Sequence, residues 1–331
     1  MRLIAYTVKG LEDTTEKELL KTDRDINVVQ KSDKVIIFDF SGALEDLTGL
    51  RTVNDIGLYI SDLENINLNN LPNLLKTIES IRPLGNTFSV TSSIAKTDKD
   101  KEQVTNKVIE ELTKYGLIYE PNDRNNLDFR VFLNDEIGFL AIRLTKEPLS
   151  KRDYEVGNYL GALKPTIAAA MIQMSTDKLP KESRVVDNFC GSGTILCESL
   201  LVGFPVYGGD ISSEAVTLTY KRLRLLGSKK TENIRVQDAT KTKWNSKYFD
   251  CAISNLPWDK QHEVSHITEL YSNTIKEYKR ILKSNFRLCI ICHKPDLLIK
   301  HIKKEFGEVS ITRADIGYLG QTPSIVLVTN L

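Results

Sequence analysis

Beyond residue 184, short apolar runs alternate with longer stretches whose apolar positions recur at helical spacing. Arg184–Asp187 predicts a strand ending at a glycine-rich turn, and Thr194–Leu201 the helix after it. Pro205–Asp210 predicts a second strand, Ser212–Gly227 a helix opened by Ser212-Ser213, Asn233–Asp238 a third strand and Phe249–Ser254 a fourth. A long helix follows over about 263–282, then a strand at Phe286–Cys292, a helix at about 296–306 and closing strands near 308–316 and 324–329. This alternation predicts a doubly wound α/β domain, because each helix covers one face of a mostly parallel sheet.

The first half has an α+β pattern. Leu3–Val8, Ile26–Gln30 and Val35–Phe40 predict strands, with a helix at Thr14–Leu20 and another from Ser41 to about Leu58. Asn69–Ser80, with Pro72 near its start, predicts a helix entering a second unit. There Thr87–Ser92 reads as a strand and Lys99–Lys114 as a helix. Asp128–Leu133 and Ile137–Leu144 read as a hairpin turned by Asn134-Asp135. The expected organisation is two α+β units at 1–62 and 63–145, a linker at 146–160, and an α/β domain at 161–331.

Composition changes this picture little. A chain of 331 residues has room for two or three cores, and 41% hydrophobic with 27% charged residues is ordinary for a globular protein. No apolar run approaches the roughly 20 residues needed to cross a bilayer. Met1–Tyr6 soon meets charged residues, so neither a span nor a secretory leader is expected. The expected location is cytoplasmic. Cys190, Cys197, Cys251, Cys289 and Cys292 argue for thiols rather than disulfides. Cys289 and Cys292 have CxxC spacing, but three positions along a strand point to opposite faces, which disfavours a shared metal. The four histidines, 262, 266, 293 and 301, are scattered, and no metal is expected. Net charge is only +1, yet 219–243 carries eight Lys/Arg against two acids and 271–304 nine against two. Such stretches suit phosphate contacts and solvated helix faces equally.

The strongest chemical signal is Asp187-Asn188-Phe189-Cys190-Gly191-Ser192-Gly193-Thr194, between a strand and a helix. Small residues there let the backbone approach a ligand at the carboxyl end of a strand, where open α/β sheets bind. Asp210 closes the next strand and can accept bonds from ribose hydroxyls. Nicotinamide-dinucleotide and S-adenosylmethionine sites both fit this layout, although Leu196 stands where a dinucleotide fingerprint has Gly or Ala. Asp238 can accept from an adenine amino group while Ala239 leaves room for the ring, or it can serve as a helix cap. Asn255-Leu256-Pro257-Trp258 follows the fourth strand. The Asn255 side-chain oxygen and the Leu256 carbonyl can accept both N–H bonds of a conjugated amino group, Pro257 stiffens the loop, and Trp258 can stack an extruded base.

These residues resemble amino-methyltransferases whose fourth motif reads Asn/Asp-Pro-Pro-Tyr/Phe, and particularly the THUMP-containing RNA guanine-N2 methyltransferases. The likeness extends to Asp187–Thr194, to Arg152-Asp153-Tyr154, and to Gly161–Met171, a segment that helps enclose the cofactor in that family. It implies a Rossmann-fold methyltransferase domain at 161–331, a ferredoxin-like domain at 1–62 and a THUMP RNA-binding domain at 63–145. It further implies S-adenosylmethionine as cofactor, tRNA as partner and guanine 6 of the acceptor stem as target, with a monomer favoured. Pro165, Thr166, Asp187, Phe189, Cys190, Gly191, Gly193, Thr194, Asp210, Ile211, Asp238, Ala239 and Asn255 are the expected cofactor residues. Asn255, Leu256, Pro257 and Trp258 are the expected catalytic loop. Asn188 departs from the family's common Pro, Asp259 from its Gly and Gln261 from its Arg. Methylation of ribosomal guanine or of adenine N6, and an inactive RNA-binding partner, are the competing expectations.

Overall fold

The computed structural model describes residues 1–23, 25–80, 84–95, 97–123, 126–157, 159, 161–228, 233–257 and 264–330, the side chains of 264–266 apart. The chain divides into two compact units, Met1–Thr7 with Thr15–Ser150, and Val8–Thr14 with Lys151–Leu331. No helix among the described residues is long and apolar enough to cross a membrane.

The first unit is built on β1 (Arg2–Tyr6), α1 (Glu12–Thr22, from Thr15 onward), β2 (Asn27–Ser32), β3 (Val35–Asp39), β4 (Asp55–Asp62), α2 (Leu71–Glu79), β5 (Thr87–Ile94), α3 (Asp98–Lys114), β6 (Ile118–Tyr119), β7 (Leu127–Leu133) and β8 (Gly138–Arg143). Its strands form one sheet in the order β2-β3-β1-β4-β8-β7-β5-β6, which runs unbroken across the boundary expected at 62/63. The helix expected from Ser41 to about Leu58 does not form: a short 3-10 turn at Leu44–Gly49 is followed by strand β4. The period there is two rather than 3.6. Ile56, Leu58 and Ile60 alternate onto the core that also holds Leu3, Phe38 and Ile142.

The second unit adds α4 (Pro165–Thr176), β9 (Val185–Asp187), α5 (Thr194–Leu201), β10 (Val206–Asp210), α6 (Ser213–Leu225), β11 (Ile234–Val236), β12 (Phe249–Asn255), α7 (Val264–Ile281), β13 (Leu282–Cys292), α8 (Pro295–Phe306), β14 (Ser310–Asp315) and β15 (Ser324–Asn330). The sheet order is β11-β10-β9-β12-β13-β15-β14. Strands β9 to β13 are mutually parallel, and β15 enters antiparallel between β13 and β14. Both faces are packed. Cys289 and Ile291 belong to the apolar cluster on one face, and Leu288, Ile290 and Cys292 to that on the other. Chain order reverses between β9 and β12, so the carboxyl ends of those two strands flank a crevice where such sheets take ligands.

Candidate active site

Strand β9 delivers Asp187 to that crevice. Its carboxylate is almost fully buried (1% exposed), and Oδ1 accepts from the Phe189 N–H at 3.0 Å and the Ser254 hydroxyl at 2.6 Å. Burial pushes the carboxyl up to about 7, outweighing the opposite pull of those two bonds. The turn that follows is pinned from several sides. The Cys190 N–H donates to the Gly209 carbonyl at 2.9 Å, and the Thr219 hydroxyl to the Gly191 carbonyl at 2.8 Å. Gly193 sits at φ 84°, and a Cβ there would lie 2.8 Å from Thr219 Oγ1. Only glycine meets both demands, and α5 starts directly after it.

Strand β10 ends at Asp210, whose two oxygens accept separately from the Gly191 N–H (2.9 Å) and the Ser212 N–H (3.0 Å). The glycine turn and the start of α6 are thereby held on one carboxylate. Asp238, exposed beyond β11, accepts from the N–H and hydroxyl of Thr240, both at 2.8 Å, while Ala239 beside it is buried. Strand β12 ends at Asn255. The Leu256 N–H continues the pairing to the Ile291 carbonyl at 3.1 Å, and the Leu256 side chain is fully buried. Pro257 closes the described part of this loop. Trp258, Asp259, Gln261 and His262 lie outside the described residues.

These strand ends open on one cavity of about 1260 Å³. Asp187, Phe189, Cys190, Gly191 and Thr194 line it from the glycine turn, Asp210 and Ile211 from β10, Asp238 and Ala239 from β11, and Asn255, Leu256 and Pro257 from β12. Ile211 is 78% exposed although it borders the cavity. Pro165 and Thr166 do not line it: they are buried in the first turn of α4, a helix that periodicity alone had not predicted. Gly193 shapes the turn without lining the cavity.

Sequence reasoning missed Tyr159, His293 and the turn carrying Tyr318, Leu319 and Gln321, all on the cavity wall. His293 directly follows β13 and could have been found by its position at a strand's carboxyl end. The 318–321 turn joins antiparallel strands, and no such rule reaches it. Arg222, counted in the first basic stretch, is 3% exposed and faces inward, so it is not free for phosphate. It donates to Ser192 Oγ at 3.1 Å, the Val156 carbonyl at 3.3 Å and the Gly157 carbonyl at 3.2 Å. Arg235 lies over the Trp244 ring and Arg280 pairs with Glu277 at 2.6 Å, so these charges too serve the fold. Arg152 and Tyr154 converge on the buried Glu198 at 3.0 and 2.7 Å.

A sheet of this order, with a glycine turn after its first strand and acids closing the next two, defines a Rossmann-type methyltransferase fold. Residues 152–322, just over half of the chain, match the UPF0020 family model, described as an RMKL-like methyltransferase domain. The chain belongs to this family. A tRNA (guanine(6)-N2)-methyltransferase of Thermus thermophilus is 38% identical over 92 residues, covering 27% of each chain. A tRNA (guanine(10)-N2)-dimethyltransferase of Methanothermobacter thermautotrophicus is 31% identical over 137 residues, 41% of this chain and 37% of that one. The matches thus span only 27% and 37% of the length of these curated relatives. In overall fold the chain is similar to the crystal structure of TrmN from Thermus thermophilus, with a TM-score of 0.79 at 22% identity, covering 100% of this chain and 99% of that one.

Proposed function

We propose that the protein methylates the N2 amino group of a guanine in tRNA, with guanine 6 of the acceptor stem as the position. The observation that carries this reading is the convergence of Asn255, Leu256 and Pro257 with Asp187, Asp210 and Asp238 on one cavity. A single drug-sized ligand occupies a pocket of about 300–1,000 Å³, so 1260 Å³ has room for a nucleoside cofactor and a base together. Bound S-adenosylmethionine supplies an electrophilic methyl on its sulfonium.

The chain's own groups fit that cofactor. Asp187 offers a buried carboxylate to an ammonium, Asp210 lies where ribose hydroxyls approach, and the exposed Ile211 offers an apolar surface to the adenine. Phe189, Cys190, Gly191 and Thr194 complete the wall, and Asp238 with Ala239 receives the adenine edge. Pro165, Thr166 and Gly193 act from behind it. The Asn255 side-chain oxygen and the Leu256 carbonyl accept the two N–H groups of the target, which turns its nitrogen lone pair out of conjugation and toward the methyl. Trp258 stacks the base, as extruded bases stack on aromatic rings. The N-terminal unit, with its THUMP region, grips the RNA by shape. Incubation of the full chain with labelled S-adenosylmethionine and total tRNA, followed by nucleoside mass spectrometry, tests the reading. N2-methylguanosine is expected. Label in N6-methyladenosine, or none in RNA, overturns it.

A further inference from the structure

Leu319 is 77% exposed and has φ 51°, a left-handed backbone that a branched side chain rarely adopts. With Gly320 at φ 71° it forms the two central residues of a tight turn, in which Tyr318 and Gln321 exchange backbone bonds of 3.0 and 2.9 Å. Asn or Gly is the usual first residue of such a turn. The turn is also fastened at its base. The Gly317 N–H donates to the Lys9 carbonyl at 2.9 Å, the Ile316 N–H to the Pro323 carbonyl at 2.9 Å, and the Tyr318 hydroxyl to the Ala162 carbonyl at 3.3 Å. An apolar side chain is thus held out at the rim of the cavity by a braced loop, against local backbone preference. Strain of this kind persists where surrounding structure enforces it, and it concentrates at functional sites.

The same cavity holds Asn255 and Leu256, the acceptors proposed for the target amino group. A base inside a duplex cannot reach them until it leaves its stack, and an apolar side chain filling the gap keeps it out. We propose that Leu319 is that wedge: it inserts into the RNA stack at the position the target guanine vacates. The proposal rests on the RNA substrate proposed above. It requires an exposed apolar tip on a braced turn that opens on the same cavity as the acceptors, and Leu319 supplies one.

The test uses Leu319→Asn and Leu319→Gly, both of which suit the positive φ and should fold at least as well as the parent. The substrates are two transcripts of one tRNA, with guanine 6 either paired or opposite a mismatched base. Expected for both variants is a kcat/KM lower by about tenfold or more on the paired transcript and changed by less than about twofold on the mismatched one. The affinity for S-adenosylmethionine should be unchanged. An equal loss on both transcripts, no loss on either, or a matching loss of cofactor affinity overturns the wedge. If the parent enzyme methylates neither transcript, the tRNA reading itself has failed and the wedge falls with it.

Discussion

The Ser254 hydroxyl donates to Asp187 Oδ1 across 2.6 Å, joining the residue before Asn255 to the acid that opens the glycine turn. Tyr278 stands 2.6 Å behind Ser254, and the Asn188 N–H in turn faces the Tyr278 hydroxyl. Since Ser254 gives its proton to Asp187, Tyr278 donates to Ser254. A directed row of donors therefore ends on one buried carboxylate and fixes the spacing between β9 and β12, the two strands that flank the crevice.

Burial raises the Asp187 carboxyl to about 7, and this gives a pH dependence with a definite sign. A carboxyl raised in the fold favours folding while protonated, so its contribution is complete below the unfolded value of about 4 and is lost as pH rises toward 7. Urea unfolding of wild type should therefore lose about 1 kcal/mol per pH unit relative to Asp187→Asn between pH 5 and 7. Cofactor binding should run the other way, because an ammonium prefers the ionised acid. Calorimetric Kd for S-adenosylmethionine should tighten between pH 6 and 7.5 in wild type and stay flat in Asp187→Asn. A flat wild-type profile would remove Asp187 from the cofactor site.

Asn188 stands where the resembled family commonly has Pro, and its structural surroundings show what the amide does here. The Trp244 indole N–H donates to Asn188 Oδ1 at 3.0 Å, with both side chains buried, and Trp244 packs edge-on against Phe249 and Tyr207. Asn188→Ala should leave the indole N–H unsatisfied and cost about 1–3 kcal/mol. Because Trp244→Phe removes that donor, the double variant should be less destabilised than the sum of the singles. A strictly additive cycle in urea denaturation would contradict the pairing.

The C-terminal elements were legible because their apolar runs are short, separated by turn residues and placed in the order a parallel sheet requires. Asp210 and Asn255 could be placed from sequence for the same reason, since each follows an apolar run at a strand's carboxyl end. Helix α4 was not legible: ten of its twelve residues are buried, so it lacks the polar face that reveals a helical period. Strand β4 was lost because its alternation begins just after a 3-10 turn with helix-like spacing. Arg222 shows the limit of counting charges, since its partners Ser192, Val156 and Gly157 lie 30 to 66 residues away.

Gly193 should be among the least replaceable positions of the turn. Gly193→Ala combines a left-handed backbone with a Cβ only 2.8–2.9 Å from Thr219 Oγ1 and Cγ2. The backbone alone costs about 1–2 kcal/mol, and the clash adds to it. Gly193→Ala/Thr219→Ser removes the Thr219 methyl but not the strain, so thermal denaturation should show only partial recovery. Full recovery would mean that φ imposes no cost.

Arg222 ties the 156–157 segment to the glycine turn, and that segment leads into Tyr159 and Gly161–Leu163 on the cavity wall. Arg222→Met keeps the stem but leaves two carbonyls and the hydroxyls of Ser192 and Thr194 without this donor. A loss of about 2–4 kcal/mol is expected from charge-assisted bonds in a buried setting. Under conditions where the variant remains folded, KM for S-adenosylmethionine should rise more than kcat falls, because the cavity wall is loosened and the acceptor loop is not. The opposite split would place Arg222 in the chemistry instead.

Asn255 is the residue on which the proposed reaction turns, and two substitutions separate its chemistry from its place in the strand. Asn255 ends β12 in register with Ile291, so its backbone pairing survives replacement of the side chain. Asn255→Ala removes the acceptor and should lower kcat by about 10²–10³-fold, the range seen when one preorganised polar group is lost from a transition state. Asn255→Asp keeps an oxygen that can accept the N–H and should retain part of the activity. Kd for S-adenosylmethionine should change much less than kcat in both, since the cofactor wall is shared among many residues. Single-turnover methyl transfer with saturating cofactor measures this directly. If Asn255→Ala reacted at the wild-type rate, the amino group would have to be held by other acceptors, and the assignment of the loop would fail.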